Sequence, residues 1–169
     1  GTRLDLSEED SQKIMHGIYD PNVKTALRDL VNYTVITPND PEYRALTEKA
    51  QGLGYKTLMH FLVDSGPLTR NKYILHKMGE QGLILEFINA KNKEITSRKI
   101  DPLGICKNKV VDIVGAGDCI AAGLASSLVT GVSVEKAIIY AMMVAEIAIM
   151  HKGTHVVTKE ELRRGIEAK

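Results

Sequence analysis

A glycine-rich turn carries the clearest chemistry in this sequence. An apolar run, residues 110–114, leads into Gly115-Ala116-Gly117-Asp118, and a segment rich in small residues follows. Glycines at such a turn let backbone amides approach a ligand closely, and the start of a helix adds positive potential. The turn is therefore a candidate anion site. The alternative for this tetrapeptide alone is an ordinary helix start with an acidic residue in its first turn.

Two familiar phosphate-binding loops are excluded. The dinucleotide fingerprint Gly-x-Gly-x-x-Gly requires a sixth-position glycine, and that position is Ile120 here. A Walker A loop requires Gly-Lys-Ser/Thr after four variable residues, and residues 54–57 (Gly-Tyr-Lys-Thr) are only a near miss. The glycine turn therefore matches neither of these loops.

Three other segments rich in polar residues or glycine precede this turn. The four segments, in chain order, are Asp20-Pro21-Asn22-Val23-Lys24, Thr37-Pro38-Asn39-Asp40-Pro41-Glu42, Met78-Gly79-Glu80-Gln81-Gly82-Leu83 and Asp112-Ile113-Val114-Gly115-Ala116-Gly117-Asp118.

In this order the segments resemble four motifs of the ribokinase-like (PfkB) family of sugar and nucleoside kinases. These motifs are an Asp-Pro-Asn-x-Arg turn, an Asn-x-x-Glu motif, a Gly-x-x-Gly hairpin and an Asp-Thr-x-Gly-Ala-Gly-Asp signature. Two positions depart from the family pattern, since Ile113 and Lys77 stand where Thr is usual. Four ordered matches from residue 20 onward identify the chain as a member of this family.

The resemblance assigns the reacting groups to the glycine turn. Asp118 matches the catalytic base, which accepts the proton of the attacking hydroxyl. The amides of Gly115, Ala116 and Gly117 match the anion hole over the transferred phosphoryl group. Phosphoryl transfer depends more on positioning and charge stabilisation than on a strong base. An aspartate at a helix N-terminus stays ionised near neutral pH, which suits a proton acceptor.

The resemblance also implies ATP and metal ions as cofactors. Asn39 and Glu42 match the motif that organises Mg²⁺ through water, although both also suit a helix cap. Asp112 matches a position associated with a monovalent cation, K⁺, in some relatives.

The nucleotide itself is assigned to three further places in the sequence. Gly79 and Gly82 would shape the nucleotide wall. Lys77 would add a phosphate contact or would simply be a solvated strand residue. The turn of Lys152, Gly153 and Thr154 would border the adenine pocket.

The C-terminal segment narrows the range of candidate substrates. Residues 147–157, with a Lys-x-Gly-Thr turn and the acidic helix start after it, resemble the end of the D-glycero-beta-D-manno-heptose-7-phosphate kinase branch. Such kinases transfer phosphate from ATP to heptose 7-phosphate, giving heptose 1,7-bisphosphate on the route to ADP-heptose and lipopolysaccharide cores. The alternatives are another ribokinase-like kinase, such as a ribokinase or pseudouridine kinase, and a nucleotide-binding fragment without turnover.

The pattern of strands and helices predicts an α/β protein, and the resemblance implies a ribokinase-like three-layer (αβα) fold with a mainly parallel sheet. Strands are predicted at 14–19, 33–36, 73–77, 83–89 and 94–100, and 110–114 also resembles a strand. Helices are predicted from an Asp40 cap to residue 51, at 116–129, at 133–150 and after Thr158. Residues 55–71 are predicted as mixed helix and loop.

Composition excludes several classes of function. The 169 residues carry a formal net charge of +1, so no nucleic acid or anionic membrane is expected as a partner. The longest apolar stretch, 137–150, is too short to span a bilayer. The two cysteines lack metal-ligand spacing and fit a reduced cytoplasm. His151 and His155 are four residues apart, but Gly153 would break a helix between them, so they are not predicted to bind metal.

The resemblance to the kinase family also bears on the length of this chain, 169 residues. Residues 1–12 are predicted to be a polar leader or the remnant of a purification tag, and 13–169 the C-terminal nucleotide-binding and catalytic portion of a kinase. We therefore expect this chain alone to be an incomplete enzyme. Its partner would be a small sugar or sugar phosphate, and a homodimer of the full-length protein is compatible with the resemblance.

Overall fold

The computed structural model describes residues 17–66, 71–106 and 109–167, in which the chain forms two compact units. The N-terminal unit comprises the described residues up to Pro102, and the C-terminal unit comprises those from Leu103 onward. The leader predicted at 1–12 and the first residues of the strand predicted at 14–19 lie outside the described residues.

The N-terminal unit contains a five-stranded sheet in the order β1-β2-β3-β4-β5. Parallel pairing joins β1 to β2 and β2 to β3, whereas β3, β4 and β5 pair antiparallel. The described sheet is thus mixed, where a mainly parallel one was expected, because short turns connect β3, β4 and β5 and only antiparallel neighbours can be joined so directly. The strands are β1 (Ile18–Tyr19), β2 (Val35–Ile36), β3 (Lys72–Lys77), β4 (Leu83–Ile88) and β5 (Ile95–Ile100).

Three helices of this unit share a hydrophobic core with the sheet. They are α1 (Leu27–Leu30), α2 (Asp40–Gly52) and α3 (Leu58–Ser65). Ile36, Ile74 and Ile88 contribute to this core from three strands, and fully buried Leu46 and Leu62 contribute from helices. Side chains on the opposite face of β3 are buried too, so both faces of the central strands are protected from water.

The start of α2 lies one residue earlier than the sequence predicts. Asn39 is the cap, not Asp40: its side chain accepts a hydrogen bond from the Glu42 amide at 3.0 Å. Glu42 in turn accepts from the Asn39 amide at 2.7 Å, which completes a capping box. A capping box requires an acidic residue three positions after the cap, and only Asn39 has that spacing to Glu42.

The C-terminal unit is helical, with α4 (Ala116–Leu128), α5 (Val134–Ala148) and α6 (Lys159–Glu167). The helices α4 and α5 pack closely because small residues face each other. A β-carbon added at Gly123 would lie 2.7 Å from the Ala141 α-carbon. Ser133 caps α5 by accepting a hydrogen bond from the Lys136 amide.

The apolar run before the glycine turn is not a strand. Residues 109–114 form no β-pairing in the structure, and their apolar side chains are exposed: Ile113 is 72% exposed and Val111 is 62% exposed. The amides of Val111 and Asp112 both donate to the Ile149 carbonyl, at 2.8 and 3.2 Å. This contact with the end of α5 replaces the strand pairing that the apolar pattern predicted.

A buried carboxylate fixes the first residues of the C-terminal unit. Glu146 of α5 is only 8% exposed and accepts hydrogen bonds from the amides of Leu103 and Ile105.

Both cysteines, Cys106 and Cys119, are free thiols. None of the described helices combines the length and apolar character that crossing a membrane requires.

We predict that Gly123→Ala destabilises the protein by about 1–3 kcal/mol, since the new methyl group would displace the α5 backbone. Gly52→Ala is the matched control, because nothing lies within 4 Å of its added β-carbon. The control should be neutral or slightly stabilising, as alanine favours helices over glycine. Denaturant unfolding of both variants measures the difference, and equal stability of the two would contradict the close packing of α4 against α5.

Candidate active site

The glycine turn begins α4 with its first amides directed out of the helix. Gly115 is the N-cap residue in a left-handed conformation, with φ of 83°. No side chain caps this helix, and the Ala116 amide donates to the Ile113 carbonyl at 3.2 Å. The Cys119 amide donates to the Gly115 carbonyl at 2.9 Å, whereas the Gly117 and Asp118 amides have no backbone acceptor among the described residues. These two amides are available to an anion at the positive end of the helix.

Asp112 ties this turn to a second one. One of its carboxylate oxygens accepts from the Val114 amide at 3.0 Å, and the other accepts from the Gly153 amide at 2.9 Å. These two backbone hydrogen bonds, Val114 first, lower the pKa of Asp112. The second turn, residues 152–154, also packs against Gly115. A β-carbon added at Gly115 would lie 3.2 Å from the Thr154 side chain.

A cleft of about 380 Å³ lies beside the two turns. Asp118 lines it with an exposed carboxylate, and Gly115 and Thr154 line it from the two turns. Much of the remaining wall is apolar, from α5, α6 and the segment between them. These apolar residues are Val144, Val156, Val157 and Leu162.

Cys119 also lines the cleft, but its environment argues against a nucleophilic role. Burial raises the pKa of this thiol, and the neighbouring Asp118 charge raises it further. A thiol is reactive as the thiolate, which these two effects disfavour. Of these two neighbouring residues, Asp118 is therefore the one suited to accept a proton.

The N-terminal unit holds the other residues predicted to contact the nucleotide or metal. Asn39 and Lys77 are neighbours, since they form a parallel bridge and the Lys77 amide donates to the Pro38 carbonyl at 2.8 Å. The Lys77 side chain is only 11% exposed and its ammonium lies 2.6 Å from an Asp20 oxygen. The alternative of a solvated strand lysine is therefore wrong. Thr37 donates to the same oxygen at 2.8 Å.

The hairpin predicted at the nucleotide wall is present. The turn at Gly79–Gln81 connects β3 to β4, and the Met78 amide donates to the Gly82 carbonyl at 2.9 Å. Gly82 allows a close approach of two chain segments, because an added β-carbon would lie 2.2 Å from the Ile100 carbonyl oxygen. The Gly-x-x-Gly spacing thus has a structural reason in this chain.

Sequence reasoning missed a polar network on one face of the sheet. The rings of Tyr43 and His76 stack with centroids 4.2 Å apart, and His76 lies 3.2 Å from Asp40. The Tyr43 hydroxyl donates to Glu86, and burial, followed by this hydrogen bond, raises the pKa of Tyr43. Asp40 and Tyr43 of α2 are separated by 36 and 43 residues from His76 and Glu86, respectively, so no local motif signals this network.

The structure therefore assembles the predicted residues in two groups. Within the C-terminal unit, Gly115, Asp118 and Thr154 line one cleft, and Asp112 joins the glycine turn to the 152–154 turn through the Gly153 amide. Within the N-terminal unit, Asn39, Glu42, Lys77 and the hairpin lie at the ends of β3 and α2.

Comparison with solved structures defines the fold as that of ribokinase-like kinases. Ribokinase from Thermotoga maritima matches with a TM-score of 0.71 and 22% identity, covering 94% of this chain and 52% of the ribokinase. Arabidopsis thaliana ribokinase complexed with ribose and ATP matches with a TM-score of 0.61 and 21% identity, covering 89% and 47% of the two chains. The predicted α/β class and ribokinase-like fold are confirmed.

The sequence belongs to the pfkB family carbohydrate kinases, whose model matches residues 7–161. A curated relative, Bifunctional protein HldE from Gluconobacter oxydans, is 32% identical over 135 residues. That match covers 78% of this chain and 25% of the relative. The chain thus spans about a quarter of the length of such relatives. The family membership inferred from the four motifs is confirmed.

A left-handed conformation costs an alanine about 1–2 kcal/mol. We predict that Gly115→Ala destabilises the C-terminal unit by more than this amount. The excess arises because the methyl group would press on Thr154. Gly131→Ala isolates the backbone cost, since Gly131 has φ of 78° with open space around it. Thermal unfolding should show a larger loss for Gly115→Ala; the reverse order would contradict the contact between the two turns.

Proposed function

We propose that this chain is the ATP-binding and phosphoryl-transferring part of a kinase that phosphorylates a hydroxyl of a sugar or sugar phosphate. The observation that supports it best is the exposed Asp118 carboxylate at the uncapped start of α4, in a pfkB family member. A proton acceptor and unpaired helix amides in one cleft suit transfer of a phosphoryl group to a hydroxyl.

Asp118 acts as the base in this proposal. It accepts the proton of the attacking hydroxyl, and the amides of Gly115, Ala116 and Gly117 stabilise the charge on the transferred phosphoryl group. To do so, the Ala116 amide gives up its bond to the Ile113 carbonyl. Asp112 holds the glycine turn in place through its bond to the Gly153 amide. Each Asp112 oxygen accepts one amide and retains a second lone pair, which leaves K⁺ binding compatible with the arrangement.

The nucleotide and its metal are assigned by chemistry. Bound MgATP would supply the phosphoryl group and neutralise charge on the phosphate oxygens. The capping box uses one carboxylate oxygen of Glu42, and the other can meet Mg²⁺ through water. Lys77 would contact a phosphate only by sharing its ammonium with Asp20. Gly79, Gly82 and the turn of Lys152, Gly153 and Thr154 would contact the remainder of the nucleotide.

The substrate proposed is heptose 7-phosphate, with heptose 1,7-bisphosphate as the product. Support comes from the resemblance of residues 147–157 to the heptose-7-phosphate kinase branch. The curated relatives that match this chain share one name, Bifunctional protein HldE. Over a shorter stretch of 58 residues, HldE from Nitrobacter winogradskyi reaches 47% identity.

We predict that Asp118→Asn lowers kcat by about 10²–10⁴-fold or more, because asparagine cannot accept the proton. ATP affinity should stay close to that of the wild type, since the helix amides are unchanged. The measurement is phosphate transfer together with ATP titration, made with this chain and with the longest gene product that contains it. Asp64→Asn is the control, as Asp64 is an exposed aspartate of α3. Retained turnover in Asp118→Asn would remove this residue from the base role.

The sugar is tested separately from the reaction. A panel of heptose 7-phosphate, ribose, fructose 6-phosphate and nucleosides should show the highest kcat/KM for heptose 7-phosphate. A preference for another acceptor would overturn the heptose assignment and leave the kinase proposal standing. Absence of transfer to every acceptor by the longest gene product, with ATP still bound, would favour a nucleotide-binding role without turnover.

A further inference from the structure

Two histidines and a glutamate meet at the edge of the cleft. His151 and His155 lie in the segment after α5, and their rings stack with centroids 3.7 Å apart. One Glu161 carboxylate oxygen, Oε1, lies 3.2 Å from His151 Nε2 and 3.0 Å from His155 Nε2. The sequence argument against this pair assumed a helix, but residues 151–154 form a bend that brings the rings together without one.

Glu161 is held in place by the start of α6. Its other oxygen, Oε2, accepts hydrogen bonds from the Thr158 amide at 2.7 Å and from the Thr158 hydroxyl at 2.8 Å. These bonds, the amide first, lower the pKa of Glu161 to about 2. The two bonds from Thr158 orient the carboxylate so that Oε1 lies within 3.2 Å of both imidazoles, and Oε2 also lies 3.2 Å from His155 Nε2. Outer hydrogen bonds of this kind orient the ligands of protein metal sites.

The spacing of the three groups suits one tetrahedral ion. A tetrahedral zinc with bonds of about 2.0–2.1 Å separates its ligand atoms by about 3.3–3.4 Å. The distances from Glu161 Oε1 to the two Nε2 atoms are within a few tenths of an ångström of that value. All three ligand atoms lie within 4.8 Å of one another. The rings, now 15° from parallel, would open so that both lone pairs face the ion.

We propose that His151, His155 and Glu161 bind a divalent transition-metal ion of the zinc class, with a fourth position open to water or another ligand. Imidazole nitrogens select zinc, cobalt or nickel over Mg²⁺, which prefers oxygen ligands. This site is therefore chemically distinct from the Mg²⁺ assigned to Asn39 and Glu42. The three side chains are 23–41% exposed, so an ion can enter from solution.

The ion would connect two segments that border the cleft. His155 lines the cleft and is adjacent in sequence to Thr154, which contacts Gly115. A bound ion would hold this segment against the first turn of α6 and stabilise the folded state by linkage. The inference needs only these three residues and does not rest on the proposed kinase activity.

The test is zinc chloride titration of the chelator-treated chain by calorimetry at pH 7.5. We expect one zinc ion per chain, at least 100-fold weaker binding in the double variant H151A/H155A, and wild-type binding in His60→Ala. His60 is the matched control because it bonds only within its own helix start, to Thr57. Thr158→Val should weaken binding by about 10–100-fold, since it removes a bond that orients Glu161.

A second measurement on the wild type keeps the proposal testable if the variants do not fold. Cobalt chloride should give the visible absorption of a four-coordinate ion without thiolate charge-transfer bands. A thiolate charge-transfer band would show that Cys106 or Cys119 binds the ion, and would overturn the proposal. It would also be overturned by the absence of zinc binding, or by a folded double variant that binds zinc as tightly as the wild type.

Discussion

The carboxylate of Asp112 connects the two turns that border the cleft of the C-terminal unit. Its two oxygens join the glycine turn to the turn at Gly153, and the neighbouring amides anchor this segment on the end of α5. The segment has no strand to hold it and exposes most of its apolar side chains. The position of the first α4 amides therefore depends on this one charged group and its backbone partners.

Close helix packing supplies the second constraint. Gly115 leaves room for Thr154, and Gly123 lets α5 approach α4 until a methyl group would collide with its backbone. The sequence alone assigns no role to the small residues after the glycine turn. The structure shows that one of them, Gly123, is required for the close packing of α4 against α5. Both requirements act on α4, so the helix that presents Asp118 is tightly packed at its N-cap and at Gly123.

Local patterns predicted the elements well where the information was local. The helices at α4, α5 and α6 and the strands from β3 to β5 lie close to their predicted positions, because caps, turns and alternation are short-range signals. The prediction failed at 110–114, where an apolar run contacts a helix end instead of a strand. The ion pair of Lys77 with Asp20 and the Tyr43–Glu86 bond join residues distant in sequence, which single-sequence patterns cannot indicate.

The histidine pair illustrates how residues outside a helix can still be brought into contact. A glycine between two histidines does disfavour a helix, and residues 151–154 are indeed not helical. Yet Gly153, with φ of 71°, also lets the chain bend, and the bend stacks the two rings. The third member of the cluster, Glu161, comes from α6, whose residue Thr158 both caps the helix and orients the Glu161 carboxylate. A glycine that removes helical spacing can therefore still bring two imidazoles together, and here the following helix places an oriented carboxylate beside them.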